Sequence, residues 1–125
     1  MMIKTMLKEM MVPAIIMIVL DYTYLGMMSS MYGIQIASVQ KVAMTPRYLG
    51  AVICYMLLIF GLYYFILRPR RSLIDAFIFG VIVYGVYNST NYATLKNWTT
   101  HVSVIDTLWG GVLMGLTAFF SYKFM

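Results

Sequence analysis

Apolar residues fall into four long runs, separated by short stretches that hold most of the charge. A helix needs about 20 mostly apolar residues to cross about 30 Å of hydrocarbon. The runs at about residues 11–31, 48–67, 72–92 and 102–122 meet that requirement. None has the charged outer face of an amphipathic helix in a soluble protein. Pro13 is expected in the opening turn of the first helix, where its missing donor would go unused. Arg68, Pro69, Arg70 and Arg71 end the second helix, and the connection after it is short enough to make helices two and three antiparallel neighbours. The first connection, about residues 32–47, is long. Its Ile34, Ile36, Ala37 and Val39 mixed with Gln35, Ser38 and Gln40 fit a short interfacial helix or a plain loop equally well. The expected fold is all-α: one transmembrane domain over residues 1–125, with four helices in an antiparallel bundle.

Composition agrees with a lipid solvent: 62% of residues are hydrophobic and 10% charged. The nine Lys and Arg against four Asp and Glu give a net charge of +5. These bases sit at the ends of the apolar runs and form no stripe that would track nucleic-acid phosphates, so nucleic acid is excluded as a partner. The bilayer itself is the expected partner, with Arg68, Arg70 and Arg71 meeting anionic lipid headgroups. Lys4, Lys8, Arg68, Arg70, Arg71 and Lys123 would share one side, against Lys41, Arg47 and Lys96 on the other, which predicts that both termini are cytoplasmic. Lys4 and Lys8 also resemble the start of a signal peptide, but Asp21 interrupts the run and no small-residue cleavage site follows, so an uncleaved first helix is expected. The single cysteine, Cys54, reads as a packing residue, and the 13 methionines show no metal-ligand spacing. The expected location is a multi-pass position in a plasma or viral membrane, and the pattern leaves a homo-oligomer open.

Polar residues within the runs carry the candidate chemistry. Asp21 falls ten residues into a helix that starts near residue 11, close to the midplane, and no Lys or Arg lies at its depth. Such an acid must be protonated, solvated in a cavity or held by partners. Tyr84, Tyr87, Asn88 and Asn91 follow an i, i+3, i+4, i+7 spacing that puts them on one helix face, with Thr90 and Thr94 extending the polar character. Asp106 has Trp109 and Gly110 one turn on. A shared polar site of Asp21, Tyr84, Tyr87, Asn88, Thr90, Asn91, Asp106 and Trp109 is the economical expectation, because lipid supplies no hydrogen bonds. Asp75 and Glu9 read as charges near helix N-termini. Tyr24, Tyr32, Tyr48, Tyr92 and Trp98 fit an aromatic belt at one interface, and Tyr63, Tyr64 and Tyr122 one at the other. Ala76 with Gly80, and Gly111 with Gly115, offer small-xxx-small packing. His101 and the aspartates are too scattered for a metal site, so neither metal nor cofactor is expected.

The string Tyr84-Gly85-Val86-Tyr87-Asn88-Ser89-Thr90-Asn91-Tyr92-Ala93-Thr94-Leu95-Lys96-Asn97-Trp98, followed by Asp106, Trp109 and Gly110, resembles an uncharacterised family. It is the domain-of-unknown-function family numbered twenty-one seventy-seven, four-helix membrane proteins of bacteria and some large DNA viruses. Asp21, Leu25, Tyr32, Tyr55, Gly61 and Pro69 extend the resemblance over nearly the whole chain. Family members usually carry Asp where this chain has Asn88 and Trp where it has Tyr24, so one acid of the proposed site is absent here. The resemblance implies the four-helix layout and supplies no activity.

Two functions compete at this level. One is binding or transport of a proton, cation or small polar solute at Asp21, helped by Asn88, Asn91 and Asp106. The other is a structural or assembly subunit of a cellular or viral membrane, in which the polar cluster holds the bundle together. An enzyme acting on lipid is disfavoured, since no nucleophile has an activating base beside it.

Overall fold

The computed structural model describes residues 2–40 and 48–124, and its regular elements there are helices. α1 spans Met2–Met27, α2 Ser29–Gln40, α3 Tyr48–Leu62, α4 Leu73–Thr94 and α5 Thr100–Phe124. α3 runs on without a break into a π-helical turn, Tyr63–Leu67. Four of these helices are long and apolar enough to cross a membrane; α2, at 12 residues, is too short. Lys41 and Arg47, counted above for orientation, lie outside the described residues.

α1 differs from the expected first run at both ends. It begins at Met2, so Pro13 is in the helix interior and buried, and its missing N–H removes an internal bond instead of one left over at the terminus. It ends where the chain bends at Met28. Asp21 is therefore within two turns of the end of α1, roughly 9 Å at 1.5 Å per residue, and not at a midpoint. The long first connection resolves into a helix, α2. It is clamped to the α4–α5 loop by Gln35, which is buried: Nε2 donates to the Asn97 carbonyl (2.6 Å), and Oε1 accepts from the Thr99 hydroxyl (2.9 Å). Thr99 in turn accepts from the Val102 N–H (3.2 Å) at the start of α5.

α4 and α5 make the main helix pair, running antiparallel. Glycines set the approach: a Cβ on Gly80 would lie 2.1 Å from the Gly110 carbonyl oxygen, and one on Gly110 2.2 Å from Cγ of Tyr84. A Cβ on Gly111 would lie 2.7 Å from Val81 and 2.8 Å from Phe77, whereas one on Gly115 would meet only ordinary contact at 3.9 Å. The tight crossing thus centres on Gly80, Gly110 and Gly111, not on the Gly111 and Gly115 spacing. α3 and α4 are less intimate than their short connection suggests. They touch where Phe79 lies over Gly61 (3.1 Å to a built Cβ), and towards the α2 end a cavity separates them.

At the opposite end, which holds both termini, the chain turns through Arg68–Ser72. Arg70 adopts a left-handed φ of 56°, uncommon for a residue with a Cβ. Tyr122 reaches across from α5 and donates to the carbonyls of Ile66 (3.1 Å) and Arg71 (2.6 Å), while the Arg70 guanidinium lies 5.4 Å from its ring centre. Tyr63, assigned above to a belt, is buried and donates to the half-buried Glu9 of α1 (2.6 Å), so Glu9 has a partner on α3's π-helical turn. Ser72 caps α4, accepting from the Asp75 N–H at 3.1 Å.

The apolar core lies towards this terminal end. Met17, Leu62, Leu67, Ala76, Leu113 and Met114 are buried there. Ile15, Ile18, Val52, Met56, Ile82 and Leu108 point outwards and are exposed, as suits side chains that face lipid. The bundle therefore has its apolar packing towards one end and its buried carboxyl groups towards the other.

Candidate functional site

Two carboxyl groups organise the polar end. Asp21 is only 7% exposed. Its Oδ1 accepts from the Trp109 indole N–H of α5 (2.9 Å), and its Oδ2 accepts from the Tyr55 hydroxyl of α3. Asp106 is 9% exposed. Its Oδ2 accepts from the Asn88 amide of α4 (2.7 Å) and its Oδ1 from the Tyr32 hydroxyl of α2 (2.8 Å). Tyr32 also shares a hydrogen bond with the Tyr24 hydroxyl (2.9 Å), and the Tyr24 ring stacks on Trp109 at 4.0 Å with the planes 4° apart. Two hydrogen-bonded clusters, joined by the Tyr24–Trp109 stack, thus tie together all five helices.

The donor types have a chemical consequence. Indole and amide N–H groups can only donate, so one oxygen of each carboxyl must accept. The other oxygen faces a phenol, which can donate to a carboxylate or accept from a carboxylic acid. Each acid can therefore take up or release a proton while keeping both hydrogen bonds. For Asp106 the reversal can pass on to Tyr24, because either hydroxyl of the Tyr24–Tyr32 pair can donate. Tyr32 lies on α2, outside the four spans. Burial first, then its bond to Tyr24 and the nearby Asp106, hold its hydroxyl above the ordinary phenol range, so it remains protonated.

Both acids line one cavity of about 780 Å³ between α3 and α4, bounded also by α1, α2 and α5. Among the described residues no Lys, Arg or His lines it. Asn88 lines a second hollow of about 420 Å³, with Ser103 and Thr107. Its Nδ2 donates both to Asp106 and to the Tyr84 carbonyl (2.8 Å), which fixes the amide orientation. Its Oδ1 is buried with no donor among the described residues. Among the described residues no group of three His, Cys, Asp or Glu could hold a metal ion.

The structure brings together Asp21, Tyr84, Asn88, Asp106 and Trp109, and sets Tyr87 on the cavity wall beside Trp98, 6.1 Å between ring centres. Thr90 is exposed, and only its backbone carbonyl is engaged, by the Thr94 hydroxyl. Asn91 is half-buried and joins neither the network nor the cavity wall. Tyr24, Tyr32 and Trp98 were expected in an aromatic belt. The first two are in the network, and Trp98 is a buried part of the cavity wall. Tyr55 was not singled out for the site; its position seven residues into α3, level with Asp21, emerges only once the register of α1 and α3 is fixed. Arg71 pairs with Asp75 at 3.7 Å on the surface. Arg68 and Arg70 instead border a hollow of about 560 Å³ with Lys8 and Glu9.

Four candidate spans with apolar outer faces and a buried, hydrogen-bonded acid among them define a multi-pass membrane protein with an internal polar site. The chain belongs to the predicted membrane protein family DUF2177, whose profile matches residues 6–123. No curated protein and no solved structure matches it.

Proposed function

We propose that this protein binds, and moves across the membrane, a proton, cation or small polar solute at the site around Asp21. The observation that carries this reading is that Asp21 and Asp106 line one cavity with no basic residue among the described residues of its wall. Acids in a membrane without a basic partner are compensated by a proton or a bound cation. Hydrogen bonds that survive a change of protonation favour exchange between the two. The test is flux into liposomes of protons or sodium ions. Asp21→Asn can still accept from Trp109 and donate to the Tyr55 oxygen, so it removes charge while keeping the network. Flux is expected to fall at least tenfold; wild-type flux in that variant overturns the reading.

Both termini are placed on the cytoplasmic side, and Arg68 and Arg70 at anionic headgroups. The hollow they form with Lys8 supports this, and Arg71 adds charge at the same end. A structural or assembly role is the competing reading, favoured by polar clusters that together join every helix. It predicts normal assembly and no cargo dependence in Asp21→Asn, with loss of stability only on bulkier substitutions.

A further inference from the structure

The walls of the cavity narrow the class of ligand, on the basis of the cation-binding reading above. Its acids are Asp21 and Asp106, and the rest is dominated by rings and aliphatic chains. Tyr32, Phe79, Tyr84, Tyr87 and Trp98 present five aromatic side chains to it. At about 780 Å³ it matches a site for a small organic molecule and is far larger than a bare metal ion needs. A small, strongly hydrated ion entering it would exchange water for apolar walls and lose hydration that two acids cannot fully replace. An organic ammonium group is weakly hydrated, is attracted to the faces of aromatic rings, and suits a site whose ionisable carboxyls have no cationic side chain beside them among the described residues. One such cation and one proton retained on the second carboxyl would neutralise the pair.

We infer that the cavity takes a monovalent organic cation with an apolar body, its charge at Asp21 and Asp106 and its body against the aromatic wall. Two native reporters sit at this site. The chain has two tryptophans: Trp98 lines the cavity, and Trp109 donates to Asp21. The single cysteine, Cys54, is exposed and lies on the same wall.

The experiment uses the full chain in lipid nanodiscs, titrated with benzyltrimethylammonium, with its neutral isostere neopentylbenzene, and with sodium chloride. Tryptophan emission and the rate of Cys54 alkylation are read together. Benzyltrimethylammonium is expected to change emission saturably and to slow alkylation at least fivefold, with neopentylbenzene at least tenfold weaker and sodium without effect at the same concentration. Asp21→Asn and Asp106→Asn should each weaken the cation at least tenfold. Asp106→Asn likewise keeps its bonds, accepting from Asn88 and donating to Tyr32. Tyr87→Leu, which alters a half-exposed ring outside the hydrogen-bond network, should weaken binding several-fold with the fold unchanged. Equal protection by neopentylbenzene overturns the inference, because the cavity would then be an apolar groove. Absent binding alongside Asp21-dependent proton or sodium flux overturns the inference and leaves the proposed function standing. Absence of both removes the two together.

Discussion

Replacing Gly80 by alanine tests the crossing that holds Tyr84 and Asn88 opposite Asp106. The new Cβ would lie 2.1 Å from the Gly110 carbonyl oxygen, 2.6 Å from its carbon and 2.8 Å from Cγ of Met114. A carbon and a carbonyl oxygen rest at about 3.3 Å in close helix contacts, so the helices must part by roughly 1 Å. The nearest obstacle is backbone, which cannot swing aside as a flexible side chain does. Overpacking of this kind costs about 1–3 kcal/mol, against which the better helix propensity of alanine returns up to about 1 kcal/mol. Because the obstacle is backbone, the upper part of that range applies, and a net loss of about 1–2 kcal/mol is expected in reversible unfolding by a denaturing detergent. Gly115→Ala is the control: its Cβ would find Phe77 at 3.9 Å, so it should be neutral or slightly stabilising. If the two variants lose stability equally, or if Gly80→Ala loses none, the glycine crossing does not hold α4 against α5 as described.

Gln35→Ala removes both the donor to the Asn97 carbonyl and the acceptor for the Thr99 hydroxyl, and the loss of these hydrogen bonds from a buried side chain should cost about 1–3 kcal/mol. Amide exchange in α2 should then quicken while that of the α4–α5 pair stays slow; unchanged exchange in α2 would show that Gln35 is not its anchor. At the terminal end, Arg70→Gly should be more stable than Arg70→Ala by about 1 kcal/mol in the same unfolding assay, since both lose the contact with Tyr122 and only glycine relieves the left-handed φ. Equal stabilities would refute a strained turn at that position.

The long apolar runs announce themselves because lipid demands length and apolarity together; three of the long helices lie on their runs, whereas α1 starts nine residues before its run. The break at Met28 is less visible: Gly26, Ser29 and Ser30 are weak signals inside a run that stays apolar on both sides. That break decides the fate of Tyr32, which it carries back over the bundle to Asp106. Aromatic residues near helix ends look the same in sequence whether they meet headgroups or enter a network, so Tyr24, Tyr32 and Trp98 were indistinguishable from Tyr48 and Tyr92. Depth and helical spacing pointed to Asp21, Asn88, Asp106 and Trp109, which the structure brings to one end of the bundle. Spacing alone also included Asn91, which lies on the same face but one turn beyond the reach of Asp106, and proximity included Thr90, which lies on another face. Small residues are frequent in all these helices, and only the register of α4 against α5 selects Gly80 and Gly110.

The central claim is that Asp21 and Asp106 change protonation within a hydrogen-bond network that stays intact. Infrared difference spectra between acidic and alkaline samples of the full protein in lipid test this most directly, with Asp21→Asn, Asp106→Asn and Tyr55→Phe in parallel. Two buried-carboxyl bands should titrate, each missing from one Asn variant, and Tyr55→Phe should shift the Asp21 band alone. If neither band exists at any pH at which the protein stays folded, the acids do not exchange protons and the claim is contradicted.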